Sequence, residues 1–408
     1  MGVHRGPRMR ARLQGARARR LVSLAVAIVV LNAVPAAAAP GWSITASPNP
    51  IGTQQTYLDA ISCAGPANAI RCFAVGSYIT AAGTVRTLIE RWNGTSWAIV
   101  ASPNRPGAIS NALVGVSCTS ANSCFAVGNS LATVSSPAVT LVERWNGLGW
   151  TIVASPNGPG ATGSFLHAIS CVGPSRCFAV GIYKSGATAG ATLIERWTGT
   201  TWVISPSPNR AGSAFDTLDG VSCVPNGTGV SCFAVGNYSA SPTGDVFYSL
   251  TERWGAGGWS VVPSPNVSGK YKTALDSVSC TSPTACMAVG VWQHAPGASV
   301  AEKWNGKTWT ITPVQNFVGW TFSQLNSVSC LSASNCFAVG SWASGTPTQT
   351  LVAHWNGTAW IPIASPSPTG SLGSNLTGIS CVAAKCLASG SARKPPTGAS
   401  ATLTERNF

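Results

Sequence analysis

The sequence predicts an all-β chain built from seven similar four-stranded units, and three observations predict it. A Trp, a Ser-Pro-Asn-like turn, a Leu, a Ser-Cys, a second Cys with Ala-Val-Gly and a Glu-Arg-Trp recur along the chain. The hairpin Trp precedes the first Cys by 21 residues in each of seven copies, so the intervening backbone repeats as well. Asn-Gly dipeptides such as Asn93-Gly94 and Asn305-Gly306 join two apolar runs. Asn-Gly adopts the positive φ angles of a tight hairpin.

One copy illustrates the four predicted strands. Strand a is Leu113–Cys118, strand b is Cys124–Gly128, strand c is Thr140–Trp145 and strand d is Trp150–Ser155. Short antiparallel strands with turn signals between them, repeated at a period of about 53 residues, describe the blades of a propeller. The sequence therefore predicts a seven-bladed β-propeller with four-stranded blades.

At each end of the repeat region lies a single predicted strand that is not part of a complete blade. Residues 41–49 read as an orphan strand d that contains Trp42, and residues 401–406 read as an orphan strand c. Together with predicted strands at 376–381 and 386–390 they complete one blade. Pairing them removes two exposed sheet edges, so we expect the N-terminal strand to close the last blade.

The fourteen cysteines form seven pairs, and each pair brackets a short a–b loop. Antiparallel pairing places the two sulfurs of a pair opposite each other, whereas a zinc site prefers Cys-x-x-Cys spacing or clustered His. The sequence predicts one disulfide per blade: Cys63–Cys72, Cys118–Cys124, Cys171–Cys177, Cys223–Cys232, Cys280–Cys286, Cys330–Cys336 and Cys381–Cys386.

The N-terminus has the pattern of a secretory signal peptide. Seven arginines in the first twenty residues precede an apolar stretch at 21–34 and an Ala-rich site before Pro40. We predict a signal peptide over residues 1–38 and a propeller over residues 39–408, with an uncleaved membrane anchor as the alternative. Without those seven arginines the net charge falls from +14 to +7 with no basic run, which disfavours a nucleic-acid partner.

The repeat resembles kelch-like propellers of the galactose-oxidase type in its period and its Gly and Trp landmarks. It is more similar still to repeats in secreted proteins of soil bacteria. The residues that carry this resemblance are Ser117-Cys118, Cys124-Phe125-Ala126-Val127-Gly128 and Arg144-Trp145-Asn146-Gly147. The paired-glycine kelch signature is missing. The resemblance implies a fold and says little about function.

The carboxylates follow the repeat rather than a catalytic pattern. All six Glu residues occupy the Glu-Arg-Trp slot of strand c: Glu90, Glu143, Glu195, Glu252, Glu302 and Glu405. Asp59, Asp219 and Asp276 share the position after the strand-a Leu, which indicates a scaffold role. Adjacent Glu and Arg point to opposite faces of a strand, so we predict a ring of ion pairs between blades. We predict no catalytic residue, cofactor or metal.

The most variable positions lie in the d–a and b–c loops, which emerge on one face of a propeller. Aromatic residues recur there and two residues beyond the strand-b Gly. The predicted ligand-binding residues are Tyr57, Tyr78, Phe165, Tyr183, Phe215, Tyr238, Tyr271, Trp292, Trp320 and Trp342. These rings either face a ligand or pack between blades, and the sequence is consistent with both.

These observations predict a secreted, monomeric, non-catalytic module that binds a glycan or a protein outside the cell through this loop face. The first alternative is an extracellular lyase or hydrolase acting on a polysaccharide. Its candidate residues are Asp216, Asp245 and His294, which lie outside the repeat slots. The second alternative is a purely structural or adhesive surface protein. No membrane contact is expected once the signal peptide is removed.

Overall fold

The computed structural model describes residues 41–186, 190–241, 246–267, 272–293 and 297–408. Every regular element in these ranges is a β-strand. None of the described segments contains a helix long and apolar enough to cross a membrane. The predicted signal peptide, Tyr271, Asp245 and His294 lie outside the described residues.

The strands recur in the predicted order a, b, c, d, and we number the units by their strand a. Unit 1 contains β2 (Thr53–Ala64), β3 (Arg71–Thr80), β4 (Val85–Trp92) and β5 (Trp97–Val100). Unit 2 contains β6 (Ser110–Ser120), β7 (Ser123–Leu131), β8 (Val139–Trp145) and β9 (Trp150–Val153). Unit 3 contains β10 (Gly163–Cys171), β11 (Cys177–Lys184), β12 (Gly190–Trp197) and β13 (Trp202–Ile204). Unit 4 contains β14 (Phe215–Asn226), β15 (Gly229–Ser239), β16 (Tyr248–Gly255) and β17 (Gly258–Val261).

The second half of the chain repeats the pattern, and one strand comes from the N-terminal end. Unit 5 contains β18 (Lys272–Ser282), β19 (Ala285–Gln293), β20 (Ala298–Trp304) and β21 (Trp309–Ile311). Unit 6 contains β22 (Phe322–Ser332), β23 (Asn335–Ala343), β24 (Gln349–Trp355) and β25 (Trp360–Ile363). Unit 7 contains β26 (Ser374–Val382), β27 (Lys385–Lys394), β28 (Ala399–Asn407) and β1 (Ser43–Thr45).

The strands form five sheets, of which three have four strands and two have eight. Each eight-stranded sheet consists of two units joined by a single parallel pair, Val85↔Ser110 or Gly190↔Phe215. In the sheet that combines the first and the last strand the order is β1-β28-β27-β26, and Ser43 pairs with Arg406. Strands a and b extend beyond their predicted bounds at both ends, as β6 and β7 show.

The Ser-Cys dipeptide of strand a connects each unit to its neighbour. The backbone N–H of each strand-a Cys donates to the Ser hydroxyl of the preceding unit at 2.9–3.0 Å, for example Cys118 to Ser62. In unit 1 the donor is Cys63 and the acceptor is Ser380 of unit 7, so the series of contacts returns to its start.

Seven disulfides join strands a and b, one in each unit, with the predicted cysteine pairs. No cysteine in the chain is free. A protein with this many disulfides fits an oxidising extracellular environment.

The hydrophobic core consists of seven clusters, each of which combines side chains of two neighbouring units. In one cluster, Phe73 of unit 1 packs against Trp145 and Trp150 of unit 2 with both ring centroids at 5.2 Å. The cluster of unit 7 contains Trp42, which is 6% exposed. Burial between units, rather than within them, therefore holds the sheets together.

The six Glu side chains are fully buried, and they do not form the predicted ion pairs. Each accepts a hydrogen bond from the Ser of the Ser-Pro turn in the preceding unit, as Ser102 donates to Glu143 at 3.0 Å. Unit 6 carries Ala353 in the Glu slot, and there the Ser slot is occupied by Val314, which packs against the same apolar cluster. Donor and acceptor are thus replaced together by apolar residues.

The predicted partner of the Glu, the Arg of Glu-Arg-Trp, instead lies over aromatic rings. The Arg144 guanidinium lies 5.5 Å from the Phe125 centroid and 5.7 Å from that of Trp197 in the next unit. Glu143 and Arg144 do point to opposite faces, as strand alternation requires. The prediction of ion pairs is wrong because each face meets uncharged groups of the adjacent unit.

The strand-b Gly is required by the close approach of strand a. A Cβ atom on Gly128 would overlap the carbonyl oxygen of Ala112, and the other six units repeat this contact. We expect Gly128→Ala to lower the free energy of unfolding by about 3 kcal/mol, since the strands must separate to admit a methyl group. Chemical denaturation measures the change. Gly149→Ala is the control, because nothing lies within 4 Å of its new methyl; equal losses in both variants would contradict the explanation.

Candidate functional site

Each strand a contains one extra residue directly after its Leu, and these residues meet in one cavity. The register between strands a and b shifts at this point in all seven units. Such a bulge leaves its extra residue out of the ladder and redirects its side chain. We call the seven residues the bulge ring: Asp59, Val114, His167, Asp219, Asp276, Asn326 and Thr377. They line a cavity of about 280 Å³.

Asp219 is the centre of the polar contacts in the bulge ring. Its carboxylate accepts hydrogen bonds from Thr217 at 3.2 Å and from the Asn237 amide at 3.3 Å. His167 Nδ1 lies 2.9 Å from Asp219 Oδ1. This is the one contact between a basic and an acidic side chain in the described part of the chain. It links units 3 and 4 across the cavity wall.

The other two carboxyl groups of the bulge ring hold their protons more tightly than usual. Burial raises the pKa of Asp59 from its ordinary value to about 6. Burial and the negative charge of Asp219 raise the pKa of Asp276 to about 8, although the Gln324 amide donates to it at 3.5 Å. At pH 7 the carboxyl of Asp276 is therefore mostly neutral, so it offers both a hydrogen-bond donor and an acceptor.

A second layer of side chains stands above the bulge ring. These residues precede the strand-a Leu, so they share a face of the strand with the ring. Tyr57 and Phe165 belong to this layer, as do Thr217 and Gln324, which contact the aspartates. Asn326 donates to Asn375 of the same layer at 2.8 Å. The bulge ring and the polar residues of this layer thus combine carboxyl, amide, imidazole and hydroxyl groups.

The nine predicted ligand-binding aromatics in the described residues are all half-buried. Four of those after the strand-b Gly pack against the core clusters of their units: Tyr78, Tyr183, Tyr238 and Trp342. Trp292, at the same position, Phe215 and Trp320 are half-buried too. The site assignment of these residues remains a prediction.

Three of these rings also contact a d–a loop. The Arg210 guanidinium lies 4.5 Å from the Tyr238 ring, and Phe317 lies 4.7 Å from Trp342, centroid to centroid. The ring of Tyr183 leaves no space for a side chain at Gly158. Arg210, Phe317 and Gly158 all follow the Asn slot of the turn. These aromatic side chains therefore support the loops of the predicted binding face.

Of the three candidate catalytic residues, only Asp216 lies in the part of the chain that the structure describes. Asp216 is 2% exposed, and Ser213 donates a hydrogen bond to its carboxylate. Burial raises the pKa of Asp216. No group of three or more His, Cys, Asp or Glu residues suited to a metal ion occurs among the described residues.

Sequence reasoning missed the bulge ring because it treated the aspartates after the strand-a Leu as scaffold residues. A signal was present: the same slot holds His167, Asn326, Thr377 and Val114 in the other units. A position that only supports the scaffold keeps one residue type in nearly every unit, as the buried Glu slot does in six of the seven. A position at which polar residue types alternate on an otherwise strict repeat is typical of a binding surface.

No protein-family model matches the chain, and no curated protein matches it. Solved structures do match. A polysaccharide lyase, Uly1, is 10% identical with a TM-score of 0.50, over 89% of this chain and 91% of the lyase. The WD40 β-propeller domain of Doa1 is 8% identical with a TM-score of 0.49, over 87% of this chain and 96% of that domain. A Trypanosoma rangeli sialidase is 9% identical with a TM-score of 0.48, over 91% of this chain and 59% of the sialidase.

The fold of the Uly1 lyase and the repeated four-stranded sheets of this chain both fit a β-propeller. At such identities the similarity indicates the fold alone, because propellers support many unrelated activities.

Proposed function

We propose that this protein is an exported, non-catalytic, seven-bladed β-propeller that binds a glycan at the mouth of its central cavity. The seven units are the blades, and β1 completes the last one. The surrounding d–a and b–c loops extend the binding face. The disulfides and the signal-peptide pattern of residues 1–38 support export. The resemblance to repeats in secreted bacterial proteins supports it as well.

The observation that carries the proposal is the chemistry of the bulge ring. A sugar presents hydroxyl groups that each donate and accept, and apolar C–H faces. The neutral carboxyl of Asp276, the amide of Asn326 and the hydroxyl of Thr377 match the hydroxyl groups. Tyr57 and Phe165, one residue before the strand-a Leu of units 1 and 3, would supply the aromatic faces for the C–H surfaces. A cavity of about 280 Å³ lies near the lower end of the range for small-ligand sites. We therefore favour a glycan over a protein partner.

We expect the purified, oxidised protein to bind a defined oligosaccharide on a glycan array. Asp276→Leu and Tyr57→Ala should each weaken that binding at least about tenfold in a calorimetric titration, since each removes a hydrogen-bonding or stacking group from the proposed site. Asp276→Asn should retain binding, because the amide replaces a neutral carboxyl. Leu148→Ala is the control: this side chain is 92% exposed in a c–d hairpin, does not line the cavity, and its loss should leave the affinity unchanged.

Three outcomes would reject the proposal. If a protein binds the cavity in the absence of any glycan, the ligand is a protein partner rather than a glycan. Release of unsaturated or reducing ends from a polysaccharide would make the protein an enzyme, with His167, Asp219 and Asp276 as its candidate acid–base groups. Absence of any ligand would leave the structural or adhesive role.

A further inference from the structure

One repeated contact is missing in unit 3. In units 1, 2 and 4 the Arg of Glu-Arg-Trp covers the strand-b Phe of its own unit and a Trp of the next. Arg196 occupies this slot in unit 3, opposite Phe178 in the same register in which Arg144 lies opposite Phe125. Its side chain is exposed and lies over no ring of the described residues. Unit 3 thus repeats the backbone register of the other units, but the Arg196 guanidinium does not lie over the aromatic rings.

Beside Arg196, Trp254 and the edge of Phe178, which is itself only 2% exposed, line an open recess. Phe178 and Trp254 lie 5.0 Å apart between centroids, as the corresponding pairs do in other units. Trp254 is half-buried, whereas the equivalent Trp145 and Trp197 are 5% and 2% exposed. The recess has a volume of about 350 Å³ and is lined by both rings and by Arg196. The Trp254 ring is therefore accessible, whereas the equivalent Trp rings of units 2 and 3 are covered.

A second arginine is held at the same recess. Arg176, in the a–b loop of unit 3, donates to the carbonyl oxygen of Thr228 in the a–b loop of unit 4 at 2.8 Å. A further recess of about 490 Å³ shares Arg196 and Trp254 and continues along the outer strands of units 3 and 4. None of the described residues that line either recess is acidic. Together they form an elongated groove with two guanidinium groups and no compensating carboxylate.

We propose that this groove binds an acidic polysaccharide through its carboxylated sugars. The planar guanidinium of Arg binds a carboxylate through two parallel hydrogen bonds, and Arg176 and Arg196 supply two such groups. The C–H face of a sugar ring packs on Trp254, and the hydroxyls of Ser175 and Thr198 face its hydroxyl groups. The groove lies at the disulfide-bearing ends of strands a and b, away from the bulge ring. The site is thus separate from the proposed cavity site and does not depend on it.

Calorimetric titration of the purified protein with a hexamer of galacturonic acid tests the site, with a galactose oligomer of equal length as the uncharged probe. We expect the acidic hexamer to bind and the galactose oligomer not to bind. Arg196→Ala and Arg176→Ala should each weaken binding at least about tenfold, while Arg196→Lys retains part of it. Arg144→Ala is the matched control. Arg144 occupies the equivalent repeat position in unit 2, but its guanidinium covers the rings of Phe125 and Trp197, so its removal should leave the affinity for the hexamer unchanged.

The inference is overturned if Arg144→Ala and Arg196→Ala weaken binding equally, since that reports overall charge rather than a site. It is also overturned if polyglutamate binds as tightly as the acidic sugar, which would indicate an acidic peptide. Absence of binding to the acidic hexamer has the same consequence. Asp276→Leu, which tests the cavity, should leave the binding of galacturonic acid unchanged, so the two proposals fail independently.

Discussion

Removing residues 41–49 is expected to destabilise the whole protein by about 5 kcal/mol or more, far beyond the effect of trimming an ordinary terminus. Trp42 is 6% exposed in the core cluster between units 6 and 7. The backbone of Ser43–Thr45 pairs with β28, and Asn49 accepts a hydrogen bond from the Thr402 N–H at 3.0 Å. The same segment supplies Ser47, whose hydroxyl donates to the buried Glu90. Deletion therefore exposes a sheet edge and leaves a buried carboxyl without its partner.

Thermal and chemical denaturation of two truncated proteins measure this effect. Deleting residues 1–38 should leave the midpoint of the unfolding transition unchanged, whereas deleting residues 1–49 should lower that midpoint strongly. As a point variant, Trp42→Ala should lower the free energy of unfolding by about 3–5 kcal/mol. The neighbouring Ile44 side chain is 43% exposed, so Ile44→Ala should lower it by less than about 1 kcal/mol. Equal midpoints for the two truncated proteins would show that β1 does not complete the last unit.

The protein is expected to lose stability as the pH rises from 5 to 9. Burial raises the pKa of five of the Glu residues from 4.5 to about 8 and that of Glu405 to about 7. The unfolded chain releases these protons above pH 4.5, while the folded protein retains them until about pH 7–8. In this window the folded state binds more protons than the unfolded state, so raising the pH favours unfolding. The loss ends above the folded-state pKa values.

The variant Glu143→Gln isolates one of these groups. Its amide can still accept the hydrogen bond from Ser102, and it has no proton to release. The variant should match the unaltered protein at pH 4 and exceed its free energy of unfolding by about 1–3 kcal/mol at pH 8. The double variant Ser102→Val with Glu143→Ala copies the Val314 and Ala353 pair of unit 6 and should also weaken the pH dependence. Denaturation curves at several pH values measure both, and an unchanged slope in Glu143→Gln would contradict the assignment.

The strands and disulfides were predictable because both depend on short sequence separations. Cys118 and Cys124 are six residues apart, and the antiparallel register between them follows from the turn. Strand alternation likewise predicted that Glu143 and Arg144 point to opposite faces. The identity of their partners was not predictable, since Ser102 lies 41 residues away and reaches Glu143 only through the packing of neighbouring units.

The candidate site, too, was predictable from the sequence only in part. The sequence pointed to these aromatic residues because they recur two residues beyond the strand-b Gly, on the variable loop face. Tertiary packing places Tyr238 and Trp342 against d–a loops. The bulge ring could not be located from alternation, because one extra residue in a strand changes which face the following side chains occupy. Only the bulge after Leu218 directs Asp219 into the cavity beside His167.

The sequence by itself determined the repeat, the strand order within each unit, the hairpin turns and the cysteine pairs, because these depend on contacts between residues close in the chain. The tertiary structure alone decided which polar residues share a cavity, which carboxyl groups are buried with hydroxyl partners, and which arginine leaves a neighbouring Trp ring accessible. These features arise where one unit packs against the next, across about 40 residues or more. At that separation, side-chain shape and burial select the partner, so a local sequence pattern does not predict which residues pair.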